Sequence, residues 1–207
     1  MIQEGRLVLF DFLFIFLVLS LIMNNVSKTR ELTLIALAAA LMAVISPFSI
    51  PIGPIPLSLA TLILYLLGAL LTPIESVSAI MVYLVLGLMG LPVFSGFAGG
   101  AEKLVGPTGG FLIGYLFCIG IESLMITKWN RKWIYPLAMV LGTIVLYAFG
   151  LSWFLIMMQG KKTFLQALMV CVVPFLLGDS IKIVIATLLS YVLRPLLEKQ
   201  ALSRTRR

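Results

Sequence analysis

Residues 164–193 read FLQALMVCVVPFLLGDSIKIVIATLLSYVL, and only two of them, Asp179 and Lys182, carry charge. A helix that crosses a bilayer needs about 20 mostly apolar residues, so this stretch spans with length to spare. Pro174 is placed to kink it, because proline removes a backbone donor and crowds the preceding turn. Five more apolar stretches precede it: Arg30–Ser46, Leu57–Leu71, Ser76–Pro92, Gly109–Thr127 and Trp133–Met158. The first two are short, and either borrow flanking residues or stop before the far face. Over all 207 residues, 61% are hydrophobic and 11% charged, and mean hydropathy is +1.15. A soluble domain carries about 25% charged residues, and one core of this size cannot hide so many apolar side chains. A water-soluble globule is therefore excluded. The pattern predicts an all-α polytopic membrane protein with six transmembrane helices over residues 29–195 and a basic cytoplasmic tail over 196–207.

Residues 1–28 form an apolar extension. Its run Leu7–Met23 is interrupted by Asp11, Arg6 is balanced by Glu4, and no small-residue cleavage site follows. That is a poor signal peptide, and the segment reads as an extra N-terminal helix or a start-site artefact. The charge distribution sets the orientation of the six-helix body. With Lys28 and Arg30 inside, the inner segments hold Lys28, Arg30, Lys128, Arg131, Lys132, Arg194, Lys199, Arg204, Arg206 and Arg207, and the outer ones only Lys103, Lys161 and Lys162. Positive charge collects on the cytoplasmic side, so both ends of the body are expected there, in a multi-pass cell-membrane protein. Trp129, Trp133 and Tyr135 fit an interfacial aromatic belt at the inner boundary.

Whole classes of chemistry drop out. The chain has no histidine, which excludes a histidine triad, a histidine metal site and a histidine-held haem; no metal site is expected. Its two cysteines, Cys118 and Cys171, lie far apart within apolar runs and read as buried thiols. The net charge of +7 reports topology and contact with anionic membrane lipid, not nucleic acid. No GK[ST] follows any glycine loop, so no nucleotide site or other cofactor is expected on this chain.

Two connections fall on the outer side: PFSIPIGPIP (47–56) and LPVFSGFAGGAEKLVGPTGG (91–110). Both are too apolar for wet loops. Irregular backbone at membrane depth is tolerated only where protein buries it or it lines a cavity, so both are expected to fold over the outer mouth of the bundle. Asp179 and Lys182, three residues apart, share one helix face. Each costs about 2.5–3.5 kcal/mol at the bilayer centre on insertion scales. They form either an internal ion pair pinning the helix or the polar anchor of a ligand cavity, with Lys182 supplying donors and Asp179 acceptors. Gly99, Gly100, Gly106, Thr108, Gly109 and Gly110 either let a ligand reach backbone amides or serve close helix packing. Phe94, Phe97, Phe111, Tyr115, Trp153 and Phe175 are candidates to wall an apolar pocket. Ala36/Ala40 and Ala39/Ala43 are small-residue pairs, used either within the bundle or to dock another membrane subunit. Glu122, near the basic cluster at Lys128, Arg131 and Lys132, is expected at the interface.

Taken in order, IPIGPIPLSLATL (50–62), GLMGLPVFSGFAGG (87–100), LVGPTGGFLIGY (104–115) and GDSIK (178–182) resemble the BioY family, the biotin-specific substrate-binding (S) components of energy-coupling-factor (ECF) transporters. The resemblance covers about residues 29–195. It implies a six-helix S-component fold that binds biotin near the outer side, beneath the first and third outer loops. Asp179 and Lys182 then hold polar groups of biotin. Further contacts come from Ser95, Phe97, Gly99, Gly100, Thr108, Gly109 and Gly110 of the glycine-rich loop and from Tyr115. The resemblance also makes Ala36 and Ala40, with Ala39 and Ala43, the face toward a transmembrane coupling subunit that sits on two ATPase subunits. This chain departs from the family at Ala60, where many relatives have glutamine, and at Phe111, where they have tyrosine. Two other readings stay open. One is capture of a different vitamin. The other is an intramembrane enzyme using Ser95, Cys118 or Ser180, although no histidine base exists and Ser180 and Lys182, two apart, point in different directions.

Overall fold

The computed structural model describes residues 27–51, 55–129, 131–158 and 163–205. The apolar run Leu7–Met23 and the pair Lys161/Lys162, expected on the outer side, lie outside them. Eight helical segments occur among the described residues: α1 (Ser27–Ile45), α2 (Ala60–Leu70), α3 (Pro73–Leu88), α4 (Ala101–Val105), α5 (Gly109–Trp129), α6 (Ile134–Met157), α7 (Phe164–Cys171) and α8 (Val173–Thr205). Three stretches are long and apolar enough to cross a membrane: α5, α6 and the combined run Phe164–Leu197. α2 and α3 are shorter apolar helices.

Local chemistry explains the boundaries. Thr72 opens α3 with a capping box: its hydroxyl accepts from the Glu75 N–H, the Glu75 carboxylate accepts from the Thr72 N–H, and Pro73 takes the first turn. There its missing donor costs nothing. Thr163 and Gln166 cap α7 in the same way. The expected single helix over Phe164–Leu193 is instead two. The break falls at Val172 (φ −124°, ψ −55°), two residues before Pro174, whose ring crowds the preceding turn and whose nitrogen cannot continue the ladder. The expected Leu57–Leu71 helix starts late, at Ala60. Leu57 and Ser58 instead pair antiparallel with Ser49 and Ile50 as two short strands, β1 (Ser49–Ile50) and β2 (Leu57–Ser58). The fold is thus not purely helical. The prolines that follow Ile50 and precede Leu57 disfavour a helical start there, and the backbone groups of Ser49, Ile50, Leu57 and Ser58 pair strand to strand instead.

The main core is drawn from α1, α2, α3, α5, α6 and α8, and a smaller cluster of Ile55, Phe154, Ala167, Cys171 and Phe175 ties the hairpin to α6, α7 and α8. α5 packs most extensively on α6, and glycines permit the approach. A Cβ on Gly150 would enter the Phe111 ring, and one on Gly110 would meet the Trp153 side chain. On α8, Phe175, Asp179, Lys182, Ala186 and Ser190 are buried, while Leu177, Ile181, Val184, Leu188 and Val192 are exposed. That division follows the helical repeat, with one face to the bundle and the other apolar toward lipid. The charged pair is on the bundle face.

Candidate binding site

The connections at 47–56 and 91–110 meet. Gly96 N–H donates to the Pro47 carbonyl at 2.9 Å, and the rings of Phe48 and Phe97 pack edge to face at 5.5 Å. Beneath them is a cavity with about 620 Å³ of atom-free space, its open mouth included. The hairpin contributes Ile55, Pro56, Leu57 and Ser58. The glycine-rich connection gives Phe94, Ser95, Lys103 and Thr108. The helices supply Thr61, Phe111, Leu112, Tyr115, Leu146, Tyr147, Phe175, Asp179 and Lys182. A mostly apolar wall with a few converging polar groups is the usual form of a small-molecule site.

The polar floor is tightly organised. Lys182 Nζ donates to Asp179 Oδ1 at 2.9 Å, to Thr61 Oγ1 at 2.8 Å and to the Ser58 carbonyl at 2.7 Å. Those three bonds use all the donors of an ammonium group. Thr61 Oγ1 donates to Asp179 Oδ1 at 2.9 Å, and Tyr147 OH donates to Oδ2 at 2.7 Å. The two alternatives left open for Asp179 and Lys182 therefore hold together: they are an ion pair that locks α8 to α2 and α6, and they face a cavity. Because Lys182 is saturated, its ammonium fixes the site's shape, whereas Asp179 Oδ2, with one protein donor, keeps accepting capacity for a ligand N–H. Tyr115 and Ser58, both in the lining, continue the polar rim.

Lys103 differs from Lys182. It is half-buried at the cavity wall on α4, and among the described residues its ammonium has no ion-paired or hydrogen-bonded partner. Asp179 and Lys182 cancel, so Lys103 leaves the lining with one uncompensated positive charge. The site is electrostatically matched to a monoanion with a polar head and an apolar middle.

Of the sequence-derived candidates, Asp179, Lys182, Ser95, Thr108 and Tyr115 line this cavity, as do Phe94, Phe111 and Phe175 of the aromatic set. Phe97, Gly99, Gly100, Gly109, Gly110 and Trp153 are not in the lining, and the structure shows other uses for them. Phe97 is 60% exposed and at φ +56°. Gly100, at φ +89°, donates to the Gly87 carbonyl at 2.7 Å. A Cβ on Gly99 would strike the Leu91 carbonyl and one on Gly109 the Leu104 carbonyl. Thr61, Ser58, Tyr147 and Lys103 were not among the sequence candidates. The signal for two of them was spacing: Thr61 and Tyr65 on α2, and Thr143 and Tyr147 on α6, are polar pairs one turn apart inside apolar runs. The lower pair meets directly, Tyr65 OH to Thr143 Oγ1 at 2.6 Å.

Three more expectations are located. Ala36 is exposed and Ala40 half-buried on one line of α1 with the exposed Leu32, whereas Ala39 is buried and Ala43 half-buried. Ser180 donates to the Leu176 carbonyl at 2.6 Å on the exposed side of α8, away from the Lys182 ammonium. Glu122 is not interfacial. It is fully buried, its carboxyl lies against Gly68, and neither oxygen has a hydrogen-bond partner among the described residues. The helix turns it inward at the α2–α5 contact.

Comparison with known proteins gives a consistent picture. Residues 22–199 match the BioY family. The chain is 33% identical over 163 residues to a probable biotin transporter BioY of Pyrococcus horikoshii, covering 79% of this chain and 95% of that one. It is 36% identical over 163 residues to biotin transporter BioY2 of Lactococcus lactis, with 78% and 88% covered. To biotin transporter BioY of Thermotoga maritima it is 35% identical over 167 residues, with 81% and 97% covered. A crystal structure of the S-component for biotin from an ECF-type ABC transporter superposes with a TM-score of 0.75 at 29% identity, covering 84% of this chain and 95% of that one.

Proposed function

The chain belongs to the BioY family, and on that premise we propose that it is the biotin-capturing S component of an uptake system, holding biotin in the cavity between the outer loops and Asp179. The observation that carries the site is the lining itself: a neutralised polar floor, apolar walls and one unpaired cation at Lys103. Biotin has complementary parts in the same order, namely a cyclic urea with N–H donors, an apolar ring and chain, and a carboxylate. In this reading a urea N–H donates to Asp179 Oδ2. The Phe94, Phe111, Leu112, Leu146 and Phe175 side chains enclose the bicycle and chain, and the carboxylate pairs with Lys103. Ser95, Thr108 and Tyr115 supply hydroxyls along the way. Phe97 and the glycines at 99, 100, 109 and 110 contribute by shaping the loop over the ligand.

The rest of the assembly follows the family. The body crosses the membrane six times with both ends cytoplasmic, the sixth crossing being α7 and α8 together. Ala36 and Ala40 present a small-residue face to a coupling subunit, and energy comes from two ATPase subunits, since this chain offers no phosphate loop of its own. It captures and hands over its ligand, with no chemistry on it. Ser180 and Lys182 are turned apart, which speaks against a serine–lysine nucleophile.

Native mass spectrometry of the purified protein, with riboflavin and thiamine as competitors against labelled biotin, tests the reading. A bound mass equal to biotin, displaced by biotin alone, is expected. A different vitamin mass, or displacement by riboflavin or thiamine, would overturn it.

A further inference from the structure

Lys103 sits on α4, a helix of five residues with none buried. Leu104 packs against the main core, and beyond it so short a segment has little of its own to hold it still. It is fastened at both ends. At its start, the Gly100 N–H donates to the Gly87 carbonyl at 2.7 Å. At its end, the indole N–H of Trp153 on α6 donates to the Gly106 carbonyl at 3.0 Å. The first bond is backbone to backbone, and the second depends on one side chain. The same indole lies against the start of α5: a Cβ on Gly109 would approach Trp153 Nε1 to 3.1 Å, and one on Gly110 would meet the Trp153 Cβ. Thr108 Oγ1 adds a weaker tie, donating to the Lys103 carbonyl at 3.3 Å. Trp153 itself is absent from the cavity lining.

We propose that Trp153 is a positioning residue for ligand selection: through Gly106 it holds α4 so that the Lys103 ammonium faces the ligand's carboxylate, and so it sets the preference for free acid over neutral derivatives. This rests on the biotin reading above, and in particular on Lys103 as the carboxylate's partner. The Trp153 ring also packs on the start of α5, but its N–H bonds only the segment that carries Lys103, so loss of the N–H alone falls on the charged end of the ligand. A residue that merely supported packing would affect every ligand alike.

The test compares biotin with biotinamide, its neutral analogue, on the full-length purified protein. Trp153→Phe keeps an aromatic ring and loses the N–H. It is expected to weaken biotin about fivefold, the scale of one net hydrogen bond, and to leave biotinamide unchanged. Combined with Lys103→Met it should add nothing to Lys103→Met alone. Site-specific replacement of Trp153 by β-(3-benzothienyl)alanine, which keeps the fused-ring volume and lacks only the N–H, serves if Trp153→Phe does not fold, and should show the same carboxylate-specific loss. Equal loss for both ligands, or no loss for either, overturns the proposal. If Lys103→Met does not distinguish the two ligands, the anchor assignment fails and this inference with it. If Lys103→Met distinguishes them and Trp153→Phe does not, the inference alone fails.

Discussion

Replacing Lys103 by methionine isolates the charged end of the site. The side chain keeps its length and apolar stem, and only the ammonium is lost. Two unit charges about 4 Å apart attract by about 1 kcal/mol in bulk water and about 4 kcal/mol at an effective dielectric of ~20. Lys103 is half-buried at a mouth open to solvent, so the pair falls between these limits. Desolvating the ammonium takes back part of the gain, leaving about 1.5–2 kcal/mol, or roughly 10–30-fold in Kd. Lys103→Glu adds repulsion to the lost attraction, and roughly 100-fold is expected. Isothermal titration of detergent-purified protein with biotin and with biotinamide reads the effect. Lys103→Met should weaken biotin by the stated factor and leave biotinamide unchanged. The gap between wild type and variant should narrow from about 0.05 M to about 0.5 M salt, because a partly exposed pair is screened. Unaltered biotin affinity in Lys103→Glu would refute the reasoning, and so would an equal loss for both ligands.

Tyr147→Phe removes one of the donors to Asp179 and should lower the stability of the ligand-free protein by about 1.5–3 kcal/mol, the scale of a hydrogen bond to an ionised group, as read by denaturant titration in mixed micelles. Glu122→Met replaces two buried oxygens that have no hydrogen-bond partner among the described residues with an apolar side chain of similar length. It should raise stability by about 1–3 kcal/mol, seen as a higher melting temperature with biotin affinity unchanged. Ala36→Arg places a long cation on the exposed small-residue line of α1. Copurification with the coupling subunit should be abolished while biotin titration remains as in wild type; loss of biotin binding as well would mean that Ala36 serves packing inside the bundle.

The spanning character of the chain was readable from its apolar runs, and so was the inward setting of Asp179 and Lys182, because a helix puts residues three apart on one face and lipid penalises charge on the other. That the two proline- and glycine-rich connections fold against protein was readable for a related reason: they leave backbone groups that oil cannot satisfy. Contacts between distant segments were less accessible. Lys182 is saturated by Ser58 and Thr61, more than 100 positions away in sequence, and nothing local announces that pairing. Gly109 and Gly110 show the limit of a motif: glycine signals close approach, but what approaches is the Leu104 carbonyl in one case and Trp153 in the other. Glu122 was misplaced because proximity in sequence to a basic cluster says little about which way a helix turns a side chain. The break at Val172 was foreshadowed by Pro174, though a kink and a full interruption look alike from sequence.

The central claim is that a carboxylate held by Lys182, Thr61 and Tyr147 recognises biotin. A biotin titration of Asp179→Asn beside wild type, with melting curves to show that both are folded, tests it most directly. Asparagine keeps the shape but removes the charge, and breaking a buried charged contact in a binding site costs about 2–5 kcal/mol, so a loss of roughly 100-fold is expected. An Asp179→Asn protein that melts normally and binds biotin as tightly as wild type would contradict the account.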